Sequence, residues 1–398
     1  MLAILLGFLS CLASGDLDEG WHQFEQRLDH SDPNNSATWT QPYHIKLIDA
    51  EGLRPHIRLQ LLGEDGALTL AAARRRPSRS STNHSFLPQF TLTHRFYGEA
   101  QPTGRLELDS LRFLSSSQAV LDAVYFIRSV IRARHNLSQP IIVIGCSYPG
   151  SLAAWLRAGH PEEVAGAVVW SPVLTAQADL STFPAAALDS IEEAFPGCVE
   201  TVKGRWKEVR AMGARQLEDV FGLCSLSRYS KDDLEHKAAA NDWEGIWSRF
   251  SYDLVEELVQ YWHHWKLGPL CDQLKGSVKE FNCTVPPCPI QRAWWWQKCT
   301  EFGWFKSHHR TQDALHFYNL SQFYDLCLSI FHRNETQGKV SKLLVMNGRR
   351  DPWRLLSFPY PFRRRNQTYS LRYAEKGHCP FYPGLSKRAR RILDRWLH

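Results

Sequence analysis

The chain has no pair of cysteines at Cys-x-x-Cys spacing, and its histidines are scattered, so no zinc site is expected. It has no long apolar run. The N-terminal stretch Leu2–Leu9 falls well short of the roughly 20 residues a membrane-spanning helix needs. It has no internal repeats and no low-complexity tracts. It also lacks a strong charge imbalance, since the formal net charge is only +6. The basic runs Arg74-Arg75-Arg76 and Lys387-Arg388-Ala389-Arg390-Arg391 read as a solvated loop and the outer face of a terminal helix. No membrane span, nucleic-acid partner, metal or cofactor is expected.

What is present is enough for a large core. The chain has 398 residues, 43% of them hydrophobic and 22% charged, sufficient for one big domain with an insertion or for two domains. Leu2–Leu9 is followed by small residues, and Ala13-Ser14-Gly15 suits signal cleavage before Asp16, so residues 1–15 read as a signal peptide. Seven of the ten asparagines lie in Asn-x-Ser/Thr: Asn34, Asn83, Asn136, Asn282, Asn319, Asn334 and Asn366. Chance would place about one or two there, so these are expected glycosylation sites. Cys11 falls in the signal segment. Seven of the nine remaining cysteines cluster between Cys198 and Cys327, which predicts disulfides. Nine is odd, so one thiol is left over, and Cys146 is the candidate because its neighbourhood should be buried. A secreted or endosomal–lysosomal glycoprotein is the expectation.

Residues 21–45 are polar with Pro and Asn turns and read as an extended N-terminal arm. His56–Leu62 alternates like a strand, and residues 71–89 read as a loop. Phe90–Phe96 reads as a strand. Ser117 is expected to cap a helix over Gln118–Arg132. Pro140–Ile144 and Ala165–Trp170 are short, uncharged runs typical of buried strands, and the alternation of strand and helix predicts a parallel sheet. Composition changes near Pro184. Residues 186–334 hold most cysteines, many aromatics and helical patterns such as Tyr252–Trp265, and read as a disulfide-bonded helical insertion. Strands return at Lys342–Met346 and Thr368–Tyr373, and Ser386–Leu397 reads as a closing helix. The core is therefore expected in two parts, 16–185 and 335–398.

Ser147 sits in Gly145-Cys146-Ser147-Tyr148-Pro149-Gly150, between the strand ending at Ile144 and the helix-like run Ser151–Arg157. A serine on a sharp strand-to-helix turn, flanked by glycines that leave room for it, is the nucleophile elbow of an α/β-hydrolase. The fold class is accordingly α/β, a parallel-sheet core with an inserted helical cap. A serine hydroxyl needs a histidine to take its proton and a carboxylate to hold that histidine. In this fold the chain order is Ser, acid, His, with the last two in loops after late strands. Asp351 follows strand 342–346, and His378 follows strand 368–373.

These residues resemble the serine carboxypeptidase family of prolyl-specific exopeptidases, which includes lysosomal Pro-X carboxypeptidase, dipeptidyl peptidase II and thymus-specific serine protease. The elbow carries the resemblance, together with Phe24–His30, His94-Arg95-Phe96-Tyr97-Gly98, Cys299–Phe305, Asn347–Trp353 and Gly377-His378-Cys379. Ser-Leu-Ala-Ala-Trp after the elbow and Cys379 after the histidine are most similar to the thymus-specific member. The chain departs from the family in one place. Leu62-Gly63-Glu64-Asp65-Gly66 keeps only part of a Gly-Gly-Glu turn, and Thr93 stands where the family has Glu.

The resemblance implies a serine exopeptidase that cleaves after proline, with Ser147, Asp351 and His378 as the triad. It implies oxyanion donors at Tyr148 and at the turn around Gly63, and a prolyl ring packed on Trp353. Two of the three adjacent tryptophans Trp294, Trp295 and Trp296 at most can face one cleft, because they cannot share a helical face. The partners are peptides with proline, and a homodimer is left open. Two other readings remain: an esterase or lipase with the same triad, and a catalytically weak peptide-binding protein of the same fold.

Overall fold

The computed structural model describes residues 17–50, 53–63, 86–194, 197, 200, 289–305, 320–321, 324, 327, 343–348, 351–357, 369–373 and 387–396. Strand β1 (Gly20–Arg27) pairs antiparallel with β2 (Thr38–Asp49). The expected N-terminal arm is thus two strands of the main sheet. The polar residues that hid them are in part buried and paired: Gln26 Nε2 donates to Gln41 Oε1 at 2.9 Å, and Gln41 Nε2 donates to the Thr93 carbonyl at 2.6 Å.

Strand β3 (Ile57–Leu61) is as expected. Strand β4 (Phe86–Leu92) starts inside the stretch read as a loop and ends four residues before Phe96. Its early end has a physical cause. Phe96 has φ 66°, its N–H bonds the Ala100 carbonyl at 2.6 Å, and the chain turns off the sheet there. Arg95 is drawn inward by Asp122, with Nε to Oδ2 and Nη2 to Oδ1 both at 2.6 Å.

Helix α1 (Ser116–Phe126) is capped by Ser115, whose side chain accepts the Gln118 N–H at 3.1 Å, and not by Ser117. It continues as wider, π-wound turns over Ile127–Arg134. Strand β5 (Ile141–Cys146) leads into α2 (Tyr148–Gly159), and β6 (Gly166–Trp170) follows. Strand β7 (Gln177–Asp179) and helix α3 (Phe183–Ala194) come next. Later described elements are α4 (Pro289–Gln297), β8 (Gly303–Phe305), β9 (Leu343–Gly348), β10 (Tyr369–Tyr373) and α5 (Lys387–Trp396). The helical reading of the insertion omitted β8, which pairs parallel with β7. Tyr252–Trp265 lies outside the described residues.

The main sheet has the order β1-β2-β4-β3-β5-β6-β9-β10. Among the described strands only β2 runs against the rest, because β1 and β4 each pair antiparallel with it and every later pairing is parallel. The sheet has helices on both faces. On one, Ile141, Val143, Ala167, Val169 and Val345 pack with α1 and α2. On the other, Ile142, Val168 and Met346 pack with Ile392 and Leu393 of α5. Alternate residues of one strand serve opposite faces, so central strands buried on both read as unbroken apolar runs. No described helix is long and apolar enough to cross a membrane.

The chain steps from β3 outward to β4, then returns to place β5 on the other side of β3. Such a reversal opens a crevice at the carboxyl ends of the two strands, where α/β sheets bind ligands. Gly63 follows β3 and Ser147 follows β5.

Candidate active site

Ser147 is the half-buried junction between β5 and α2. Its backbone has φ 57° and ψ −130°, unfavourable for a residue with a side chain. Such strain costs roughly 1–3 kcal/mol and persists only where the surroundings hold it. Here the Ser147 N–H donates to the Trp170 carbonyl at 2.9 Å. Ser151 Oγ donates to the Val173 carbonyl at 2.7 Å and accepts the Val173 N–H at 3.1 Å, which ties α2 to the chain beyond β6. Space is the second condition. A Cβ on Gly145 would lie 2.2 Å from the Pro149 carbonyl oxygen, and one on Gly63 would lie 2.7 Å from Pro149 Cγ. The segment after β3 therefore packs directly against the elbow.

Asp351 is fully buried after β9. Its Oδ1 accepts the Trp353 N–H at 2.9 Å and caps a turn of 3-10 helix, Pro352–Leu355. Cys146 aligns with Trp170, Trp170 with Met346, and Met346 with Leu371, so β5, β9 and β10 present their carboxyl ends at one edge. Ser147 and Asp351 both leave from that edge, and β10 leads from it toward His378. His378 itself lies outside the described residues. Trp353 is half-buried and meets Phe183 of α3 edge-to-face, ring centroids 4.8 Å apart.

The three tryptophans separate as helical geometry requires. Trp296 is buried and its Nε1 donates to the Leu114 carbonyl at 3.0 Å, while Trp295 stacks on Phe305. Trp294 faces Tyr148, with centroids 5.5 Å apart. The sequence reading missed the polar groups around Tyr148: His94, Ser116, Gln297 and Glu301. Two of them, His94 and Glu301, lie in segments that carried the resemblance, which was the available signal.

Asn34 and Asn136 are exposed, and Asn83, Asn282, Asn319, Asn334 and Asn366 lie outside the described residues. Cys299 and Cys327 form a disulfide. Cys146 is also disulfide-bonded, which corrects its reading as the spare thiol. The odd count leaves one thiol over but does not say which, and half-buried Cys146 is not it. Its partner lies outside the described residues.

An eight-stranded sheet with one reversed strand, a crossover at β3 and a strained serine between β5 and α2 define an α/β-hydrolase. Residues 26–285 match the family described as Serine carboxypeptidase S28. The chain belongs to that family and is a serine-type peptidase. It is 26% identical to human thymus-specific serine protease over 90% of this chain and 80% of that protein. It is 25% identical to human lysosomal Pro-X carboxypeptidase over 65% of this chain and 63% of that one. Among solved structures, a peroxisomal α/β-hydrolase from Saccharomyces cerevisiae aligns over 96% of this chain and 89% of its own, with 11% identity and a TM-score of 0.39.

Proposed function

We propose that this chain is a secretory-pathway serine exopeptidase that hydrolyses peptide bonds after proline through Ser147, His378 and Asp351. The observation that carries the reading is the strained backbone of Ser147 over the N-terminus of α2. Ser147 Oγ attacks the carbonyl carbon as its proton passes to the imidazole of His378. Asp351 holds that imidazole. The tetrahedral oxyanion is met by the Tyr148 N–H and by a backbone N–H at the turn that holds Gly63. Collapse breaks the C–N bond, and the amine leaves with the proton from His378. Water then hydrolyses the acyl-enzyme by the same proton path.

The prolyl ring is assigned to Trp353, whose backbone is bonded to Asp351 and whose half-buried indole adjoins the acid loop. The name of the lysosomal Pro-X relative supports the proline preference and an endosomal–lysosomal or secreted location. The exposed Asn34 and Asn136 and the disulfides fit that route.

A fluorophosphonate probe together with a panel of prolyl peptides and acyl esters tests the reading. Labelling that is lost in Ser147→Ala, with faster turnover of prolyl peptides than of matched alanyl ones, is expected. Turnover confined to acyl esters would make it an esterase. A folded protein that takes no label would make it a binding protein of the same fold.

A further inference from the structure

The side chain of Tyr148 leaves the elbow and enters a cluster of polar groups that the reaction above does not use. Its hydroxyl lies 3.0 Å from His94 Nε2, 2.7 Å from Gln297 Nε2 and 3.2 Å from Ser116 Oγ. Gln297 Nε2 also donates to Glu301 Oε2 at 2.8 Å, and Gln297 Oε1 accepts from the Tyr97 hydroxyl at 2.6 Å. Glu301 Oε1 accepts the Ser116 N–H at 2.7 Å, and Glu301 Oε2 lies 3.2 Å from Ser116 Oγ. Segments far apart in the chain, at 94–97, 116, 148 and 297–301, thus meet on one hydroxyl.

The proton positions follow from the acceptors. His94 Nδ1 lies 2.7 Å from the Arg95 carbonyl, which only accepts, so Nδ1 carries the hydrogen. Burial pushes His94 down to about 4, so the ring is neutral and its Nε2 accepts from Tyr148. Both Gln297 amide hydrogens are used, one on Tyr148 and one on Glu301. The Ser116 hydroxyl has one hydrogen and two acceptors within reach, Tyr148 and Glu301.

Glu301 decides between them. With a proton on Oε2 it donates to Ser116 Oγ, and Ser116 turns its own hydrogen to Tyr148. The Tyr148 hydroxyl then makes one bond as donor and two as acceptor. Ionised Glu301 draws the Ser116 hydrogen to itself, and Tyr148 loses that bond.

We propose that Glu301 is a positioning residue of the catalytic centre, acting through Ser116 and Gln297 to fix Tyr148 and with it the backbone N–H beside Ser147. This rests on the reading of Ser147 as nucleophile and of the Tyr148 N–H as an oxyanion donor. Burial pushes the Glu301 carboxyl up to about 7, where its proton exchanges near neutrality. The nearby cations are committed elsewhere: Lys298 Nζ lies over the Trp295 and Phe305 rings, and Arg95 is paired with Asp122. His94 is neutral and Tyr97 donates to Gln297.

The test is turnover and fluorophosphonate labelling of the purified protein from pH 5 to 9, in wild type, Glu301→Gln, Ser116→Ala and Ser147→Ala. A glutamine amide donates to Ser116 Oγ at every pH, as the protonated acid does, although its nitrogen cannot accept the Gln297 Nε2 hydrogen that Glu301 Oε2 takes. Wild-type kcat should fall about 2- to 10-fold as pH rises through 7, the worth of one hydrogen bond, with KM little changed. Glu301→Gln should keep the acid-side kcat and lose that fall. Ser116→Ala should also lose it, at a lower kcat throughout. Variants that keep the wild-type inflection near 7 would overturn the proposal. If Glu301→Gln does not fold, Ser116→Ala alone decides. Labelling that survives in Ser147→Ala would instead defeat the underlying assignment of the nucleophile.

Discussion

A β-carbon on Gly145 would sit 2.2 Å from the carbonyl oxygen of Pro149, closer than any real contact allows. The first turn of α2 folds back over the end of β5 at that distance, and this close approach exposes Ser147. Gly145→Ala should therefore spoil the elbow while leaving the sheet in place. Fluorophosphonate labelling should drop by at least about 100-fold, comparable to the loss of an oxyanion donor. Normal labelling of Gly145→Ala would mean the turn tolerates a side chain and the geometry has been misjudged.

The elbow was legible because two signals coincide there: an uncharged β-branched run, and small residues where the backbone has no room. Strand β9 was legible as the short apolar run Leu343–Met346, and β10 by the alternation of Tyr369, Leu371 and Tyr373 with Ser370 and Arg372. Strands β1 and β2 were not, because Gln26 and Gln41 are buried by pairing with each other, and a polar residue that finds its partner inside breaks the apolar pattern. The end of β4 was misplaced because Arg95 looks solvent-facing in sequence and is wholly buried on Asp122 in the fold. The cluster on Tyr148 joins residues up to about two hundred positions apart, and no local pattern announces such a contact.

The Arg95–Asp122 pair supports a second prediction. Arg95 also donates to the carbonyls of Leu28, Phe113 and Arg27, and His30 Nε2 lies 2.8 Å from Asp122 Oδ1. The pair clamps the end of β1 to α1 and to the turn after β4. Asp122→Ala leaves a buried guanidinium without its counter-ion and should cost about 3–5 kcal/mol. Urea unfolding of the purified protein measures this, and a loss below about 1 kcal/mol would show that the clamp adds little.

Glu301 gives stability a pH dependence of definite sign. Its carboxyl is raised from 4.5 to about 7 in the fold, so the folded state holds a proton that the unfolded chain has released. Its contribution is complete below about pH 4.5 and is lost as pH rises toward 7. The full span is worth up to about 3 kcal/mol, less in proportion to the water that reaches this partly exposed residue. Denaturation midpoints at pH 4.5, 6 and 7.5 should fall in that order, and Glu301→Gln should flatten the trend. A wild-type midpoint that rises over this range, or a variant with an unchanged slope, would place the titration elsewhere.

Disulfide mapping of the unreduced protein should recover Cys299 joined to Cys327, and Cys146 in a second linked pair. Alkylation of Cys146 without prior reduction would contradict the latter.

Trp353→Ala should remove much of any preference for proline before the scissile bond, by about 10- to 200-fold for a few buried methylenes, while Ser147 still takes the probe. An unchanged preference would make Trp353 a packing residue for Phe183 alone.

The central claim is that the strained serine between β5 and α2 is the nucleophile. Peptide mass spectrometry of the fluorophosphonate-labelled wild-type protein tests it most directly. A single adduct on Ser147, absent from a folded Ser147→Ala variant, is expected. An adduct on any other serine, or one that persists in that variant, would contradict it.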